Sequence, residues 1–145
     1  MNETILKFGY PATLIAEYSH WLVLLRPQQP TLGSLVLAAK GEFTSLADLP
    51  PEAFAELHRV VGDIEAVLGR TIDYAKLNYL MLMMKDRHVH WHVIPRYDGT
   101  RAAGGLTIAD RGWPDLPQLA DATALDGAQI DELGGWLRLN WPGAE

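Results

Sequence analysis

Imidazole and apolar side chains alternate strictly through His88-Val89-His90-Trp91-His92, and Val93-Ile94 continues the run. That alternation fits the two-residue period of a β-strand. It sends three imidazoles to one face and Val89, Trp91 and Val93 to the other. The chain therefore needs a sheet with one apolar face and one face crowded with ring nitrogens. A plain core suits that second face poorly, because each polar group buried without a partner costs about 1–3 kcal/mol.

Shorter signals supply the rest of the sheet. Leu14 to Tyr18 and Trp21 to Leu25 are apolar runs separated by Ser19-His20, which predicts two strands joined by a tight turn. Pro27 and Pro30 lack a backbone donor and stop the pairing, and Leu35-Val36-Leu37-Ala38-Ala39 reads as a strand buried on both faces. Leu77 to Met84 is a strand by composition, with Lys85-Asp86 as the turn of an antiparallel hairpin leading into the histidine run. Between these strands, Pro51 and Glu52 open a helix. Its apolar face comprises Phe54, Leu57, Val60, Val61, Ile64, Val67 and Leu68, and Gly69 is expected to close it. After Pro95 the scattered glycines and prolines predict an ordered loop. A second helix is expected from Asp126 to Leu139, with Ile130, Leu133, Trp136 and Leu137 on one face. Strands grouped around two helices, without regular alternation of the two, predict an α+β fold with an antiparallel sheet. The 145 residues suit one domain.

The formal net charge of -6 argues against the broad basic surface that long nucleic acid requires, whereas a few local donors suffice for a small phosphorylated ligand. Absence of cysteine excludes disulfides and thiolate metal sites and suits a cytoplasmic location. Met1-Asn2-Glu3-Thr4 lacks the features of an export signal, and no stretch approaches the ~20 apolar residues of a membrane span.

Three chemistries compete for the histidines. An exposed, merely His-rich strand accounts poorly for three in perfect alternation. A metal site is second, because same-face neighbours on one strand sit about 7 Å apart and converge on one ion with difficulty. Nucleophilic catalysis is third: one neutral imidazole attacks phosphorus while its neighbours donate protons and hydrogen bonds to phosphate oxygens.

The segment His88-Val89-His90-Trp91-His92-Val93-Ile94-Pro95-Arg96-Tyr97 resembles the signature of the histidine-triad (HIT) family, including the Pro-Arg that often follows it in diadenosine polyphosphate hydrolases. Arg26-Pro27-Gln28-Gln29-Pro30-Thr31-Leu32-Gly33-Ser34-Leu35-Val36-Leu37 resembles the family's proline-containing turn and next strand, and the helix after Pro51 falls where the family has one. The resemblance implies a single HIT-like domain over residues 1–145, with a motif-bearing core over about 21–97 and a C-terminal loop and helix over 98–145. It further implies an antiparallel sheet of about five strands with two main helices. His90 would be the nucleophile that carries a nucleotidyl group, with His88 and His92 orienting it and contacting the phosphate. No cofactor or metal is implied in the chemical step, the ligand would be a small nucleotide, and the assembly a homodimer with joined sheets. Ser34, Lys85, Arg87 and Arg96 are candidate substrate contacts, the cations toward phosphate oxygens.

Three positions depart from that pattern. Leu24 stands where relatives often place the Asp or Asn that holds the ribose, Ser34 where many have His, and Met84 where a polar Asn or Gln is usual. Methionine donates no hydrogen bond. These departures keep two alternatives open: a nucleotide-binding module with weakened turnover, and a metal-dependent hydrolase.

Overall fold

The computed structural model describes residues 1–143. Its elements run α1 (Glu3–Lys7), β1 (Leu14–Glu17), β2 (Trp21–Leu25), β3 (Gln28–Gln29), β4 (Leu35–Ala39), a 3₁₀ turn (Leu46–Asp48), α2 (Pro51–Thr71), β5 (Lys76–Leu80), β6 (His90–Arg96), β7 (Thr100–Ala103), β8 (Leu106–Ala109), β9 (Thr123–Ala124) and α3 (Gly127–Asn140). Five strands form one antiparallel sheet in the order β1-β2-β4-β6-β5. The fold is thus the α+β arrangement that the sequence predicts, with α2 and α3 as its main helices.

The two central strands explain their own composition. Every residue of β2 and β4 is buried, because side chains alternate between two covered faces. Trp21, Val23, Leu25, Leu35, Leu37 and Ala39 join α2 through Val60, Ile64, Val67 and Leu68, and α3 through Leu133 and Leu137. Leu22, Leu24, Val36 and Ala38 face the opposite way and pack beneath Ile5, with Phe8, Tyr10 and Leu14 at the edges. The second cover is α1, which the sequence reading does not contain. Asn2 caps it, its side chain accepting from the amide of Ile5 and donating to the carbonyls of Ala39 and Gly41.

Other boundaries shift for local reasons. The first long helix continues two residues past Gly69 to Thr71, since nothing at Gly69 requires a left-handed backbone. Phe54 lies on the exposed side, 41% accessible, so the buried stripe is narrower than the apolar spacing implies. The region after Pro95 is a loop only in part. Thr100 to Ala109 forms a hairpin whose turn, Gly104-Gly105, has both φ values positive (57° and 77°), as a two-residue connection with the right twist demands. In the second helix Asp126 is the cap and not the first turn: its side chain accepts from the amide of Gln129, whose side chain accepts from the Asp126 amide. Among the described residues, no helix is long and apolar enough to cross a membrane.

Candidate active site

The ladder of histidines is shorter than the alternation suggests. Strand β6 begins at His90, two residues after His88, with His90 opposite Ala38 and His92 opposite Val36. His90 and His92 share one face, their ring centroids 5.1 Å apart and their planes 83° to each other. Trp91 and Val93 turn to the other side, where Trp91 stacks obliquely on Trp21 with centroids 5.6 Å apart. Phe8, just after α1, covers the two imidazoles from centroid distances of 5.5 and 5.6 Å.

The partners of each ring nitrogen fix what it can do. Nδ1 of His90 lies 2.6 Å from the carbonyl oxygen of His88. A carbonyl only accepts, so Nδ1 carries the proton and Nε2 keeps its lone pair. Among the described residues, no sealed side-chain nitrogen or oxygen lacks a hydrogen-bond partner. Nε2 of His90 has no such partner, so it reaches solvent even though its residue is only 1% exposed.

His88 is occupied on both nitrogens. Nε2 donates to the Glu42 carboxylate at 2.9 Å. Nδ1 stands 2.9 Å from Oγ1 of Thr4, which also takes the His88 amide at 3.3 Å. The Thr4 hydroxyl, already an acceptor from the amide, supplies its proton to Nδ1. His92 receives a hydrogen bond on Nδ1 from Nε of Arg26 at 3.3 Å. Burial lowers the pKa of His92 to about 4, helped by the Arg26 charge and then by His90, with Asp86 opposing. Burial likewise lowers the pKa of Arg26.

A cleft of about 280 Å³ opens over the two rings, walled by Leu82, Met83, Met84, Lys85 and Asp86 with His90 and His92 at its base. Beside it, a recess of about 150 Å³ is bounded by Glu3, Thr4, Lys7, Lys85, Asp86, Arg87 and His88, with Lys7 and Asp86 paired at 2.6 Å. Of the expected contacts, Lys85 therefore stands at the cleft and Arg87 at the adjoining recess. Ser34 and Arg96 do not come to either. Ser34 is fully buried and donates to the Thr31 carbonyl. Arg96 lies on the histidine face but is spent on Asp110, Asn78 and the Asp115 carbonyl. Leu24 is fully buried beside Ile5 and Val36, which leaves no polar group at that point for a sugar.

Thr4, Phe8, Glu42 and Arg26 are the functional neighbours that sequence reasoning does not single out. Only Arg26 carries a usable signal, as a cation within the proline turn. No cluster of three His, Asp or Glu side chains able to hold a metal occurs among the described residues. Each histidine instead points a nitrogen at a different partner.

Comparisons with known proteins bear on the family and the fold. The family model described as HIT domain matches residues 10–99. A histidine triad (HIT) protein from Sinorhizobium meliloti 1021 superposes with a TM-score of 0.74 at 19% identity, covering 97% of this chain and 95% of that one. A histidine triad protein from Bradyrhizobium japonicum gives 0.72 at 19% identity, covering 97% and 96%. The diadenosine triphosphate hydrolase of Plasmodium falciparum gives 0.65 at 13% identity, covering 88% and 75%. At such identities the superpositions speak for the fold. No curated protein matches the chain.

Proposed function

The chain belongs to the HIT-domain family, and from that premise we propose that it is a nucleotide-phosphate hydrolase or nucleotidyl transferase acting through a covalent adduct on His90. The observation that carries the proposal is the tautomer of His90: Nδ1–H is held by the His88 carbonyl, and the Nε2 lone pair is open at a cleft. Nε2 forms a bond to phosphorus as the bond from phosphorus to the bridging oxygen breaks, and the leaving phosphate departs with the electron pair. Positive charge then develops on the imidazole, where the Nδ1–H···O=C bond strengthens and stabilises it. In the second step the oxygen of water, or of another acceptor, bonds to phosphorus. The phosphorus–nitrogen bond breaks, its pair returns to Nε2, and the acceptor proton passes to solvent.

Lys85, at the cleft, and Arg87, beside it, supply cations for phosphate oxygens. A dinucleoside polyphosphate or related nucleotide is the substrate class in this reading, and no cofactor takes part. A cytoplasmic homodimer belongs to the same proposal. Strand β5 lies at the edge of the sheet, where a second copy can extend the pairing.

One observation favours a second reading. The sealed apolar packing around Leu24 offers a nucleoside nothing to bind at that point, which fits a module that holds a phosphate compound with little turnover. A single experiment separates the two. Incubation with a dinucleoside polyphosphate labelled in its adenylate, followed by a basic quench, should trap an acid-labile adduct on the wild type and none on His90→Gln. Turnover should fall by about 10⁴-fold or more in that variant. Hydrolysis that survives in His90→Gln would overturn the covalent mechanism, while binding without adduct in the wild type would support the module.

A further inference from the structure

Arg26 follows β2 at the start of the proline turn, and that turn is built rigidly. Gln29, fully buried, donates to the carbonyls of Arg26 and Ser34 and accepts from the amides of Gly33 and Ser34. The amide of Arg26 donates to the Ser34 carbonyl, and its Nη1 donates to the Gln28 carbonyl. With both ends of the residue tied, Nε is left 3.3 Å from Nδ1 of His92. A guanidinium has donors and no acceptor. The nitrogen that faces it must therefore be the one with the lone pair, which puts the single ring proton of neutral His92 on Nε2.

His90 is held the other way round, with Nδ1 protonated by its contact to a carbonyl. Both rings reach the cleft, and neither Nδ1 is free to do so. We infer that Arg26 is a positioning residue that sets the tautomer of His92, so that the adjacent rings present complementary nitrogens to the cleft: a lone pair from His90 and an N–H from His92. His92 then cannot compete as a nucleophile. It donates a hydrogen bond to an oxygen on the phosphorus that His90 attacks, and burial, with the Arg26 charge second, resists its protonation at neutral pH. The catalytic part of this inference rests on the proposed role of His90, whereas the tautomer does not.

Long-range proton–nitrogen spectra of the ligand-free full chain at pH 7.5 read the two parts separately. The wild type should show His92 protonated on Nε2 and bare on Nδ1, with His90 reversed. Arg26→Met, which removes the donor, should give a mixture of His92 tautomers and a His92 titration shifted upward, with His90 unchanged. Arg26→Lys, still a donor without an acceptor, should restore the wild-type pattern. On a labelled dinucleoside polyphosphate, kcat should fall about 10- to 100-fold in Arg26→Met with little change in KM, and recover largely in Arg26→Lys. A wild-type His92 protonated on Nδ1, or the same tautomer in Arg26→Met as in wild type, overturns the inference. A tautomer shift in Arg26→Met supports it even if the wild type turns nothing over, a result that sinks only the hydrolase reading.

Discussion

A neutral His92 links the site to stability. Its pKa is lowered from 6.5 to about 4 in the folded chain, first by burial and then by Arg26 and His90. An unfolded chain binds a proton on this ring as pH falls through about 6.5, while the folded chain does so only near 4. The stability concerned is thus fully present above 6.5 and is lost as pH falls toward 4, to an extent on the order of 2 kcal/mol after allowance for partial solvent screening. Denaturant midpoints at pH 7.5 and 4.5 should show the wild type losing more than His92→Gln by about that margin; equal losses would remove burial of His92 as the cause. At this scale the sequence was informative about residue type and poor about partners. Alternation is a property of consecutive residues, so the three imidazoles could be read directly. The His90 tautomer is set locally, by the His88 carbonyl two residues back, but the hydrogen bonds that set those of His88 and His92 come from Thr4, Glu42 and Arg26, each more than 40 positions away from its histidine, and no local pattern announces them.

Elements were legible where they were long or strictly periodic. The buried runs of β2 and β4 and the amphipathic faces of α2 and α3 all show in the order of residues. Helix α1 does not, because five residues are too few for a 3.6-residue period to emerge. Its only local mark is the Asn2 cap. The hairpin of β7 and β8 is marked by Gly104-Gly105 between Ala103 and Leu106, a turn signal obscured by the number of other glycines nearby. That small first helix matters more than its length suggests, since Thr4 satisfies a nitrogen of His88. Thr4→Val keeps the shape and strips both hydrogen bonds, leaving a buried amide and a ring nitrogen without partners. It should destabilise the chain by about 1–3 kcal/mol in equilibrium denaturation. Asp126→Ala, which removes only the cap of α3, should cost about 1 kcal/mol. A larger loss there would mean that the capping box also orients α3 on β1.

For the molecule as a whole, the question is what fastens the C-terminal third to the sheet that carries the histidines. Apolar contacts of Leu133 and Leu137 explain the docking of α3, and in the segment between β6 and α3 one buried carboxylate adds to the core packing of Leu106 and Ile108 and to the Arg101 bonds to the Ile72 and Asp73 carbonyls. Asp110, 7% exposed, accepts from Nε and Nη2 of Arg96 at 2.7 and 3.3 Å and from the amides of Tyr97 and Gly112. The pair is almost fully withdrawn from water. Sequence reasoning places Arg96 beside a phosphate because it follows the histidines by four residues. It could not foresee Asp110, since the hairpin that returns the chain to β6 depends on turns and not on hydrophobic period. Removing one partner of a buried, hydrogen-bonded pair leaves an uncompensated charge, which costs about 3–5 kcal/mol, a large part of the 5–15 kcal/mol that holds an ordinary domain together. Asp110→Ala should therefore lower the unfolding free energy by about that amount. At a temperature well below its own transition, its KM for nucleotide should match the wild type, because the guanidinium it releases was engaged away from the cleft. A raised KM with unchanged stability would reverse that assignment and return Arg96 to the substrate.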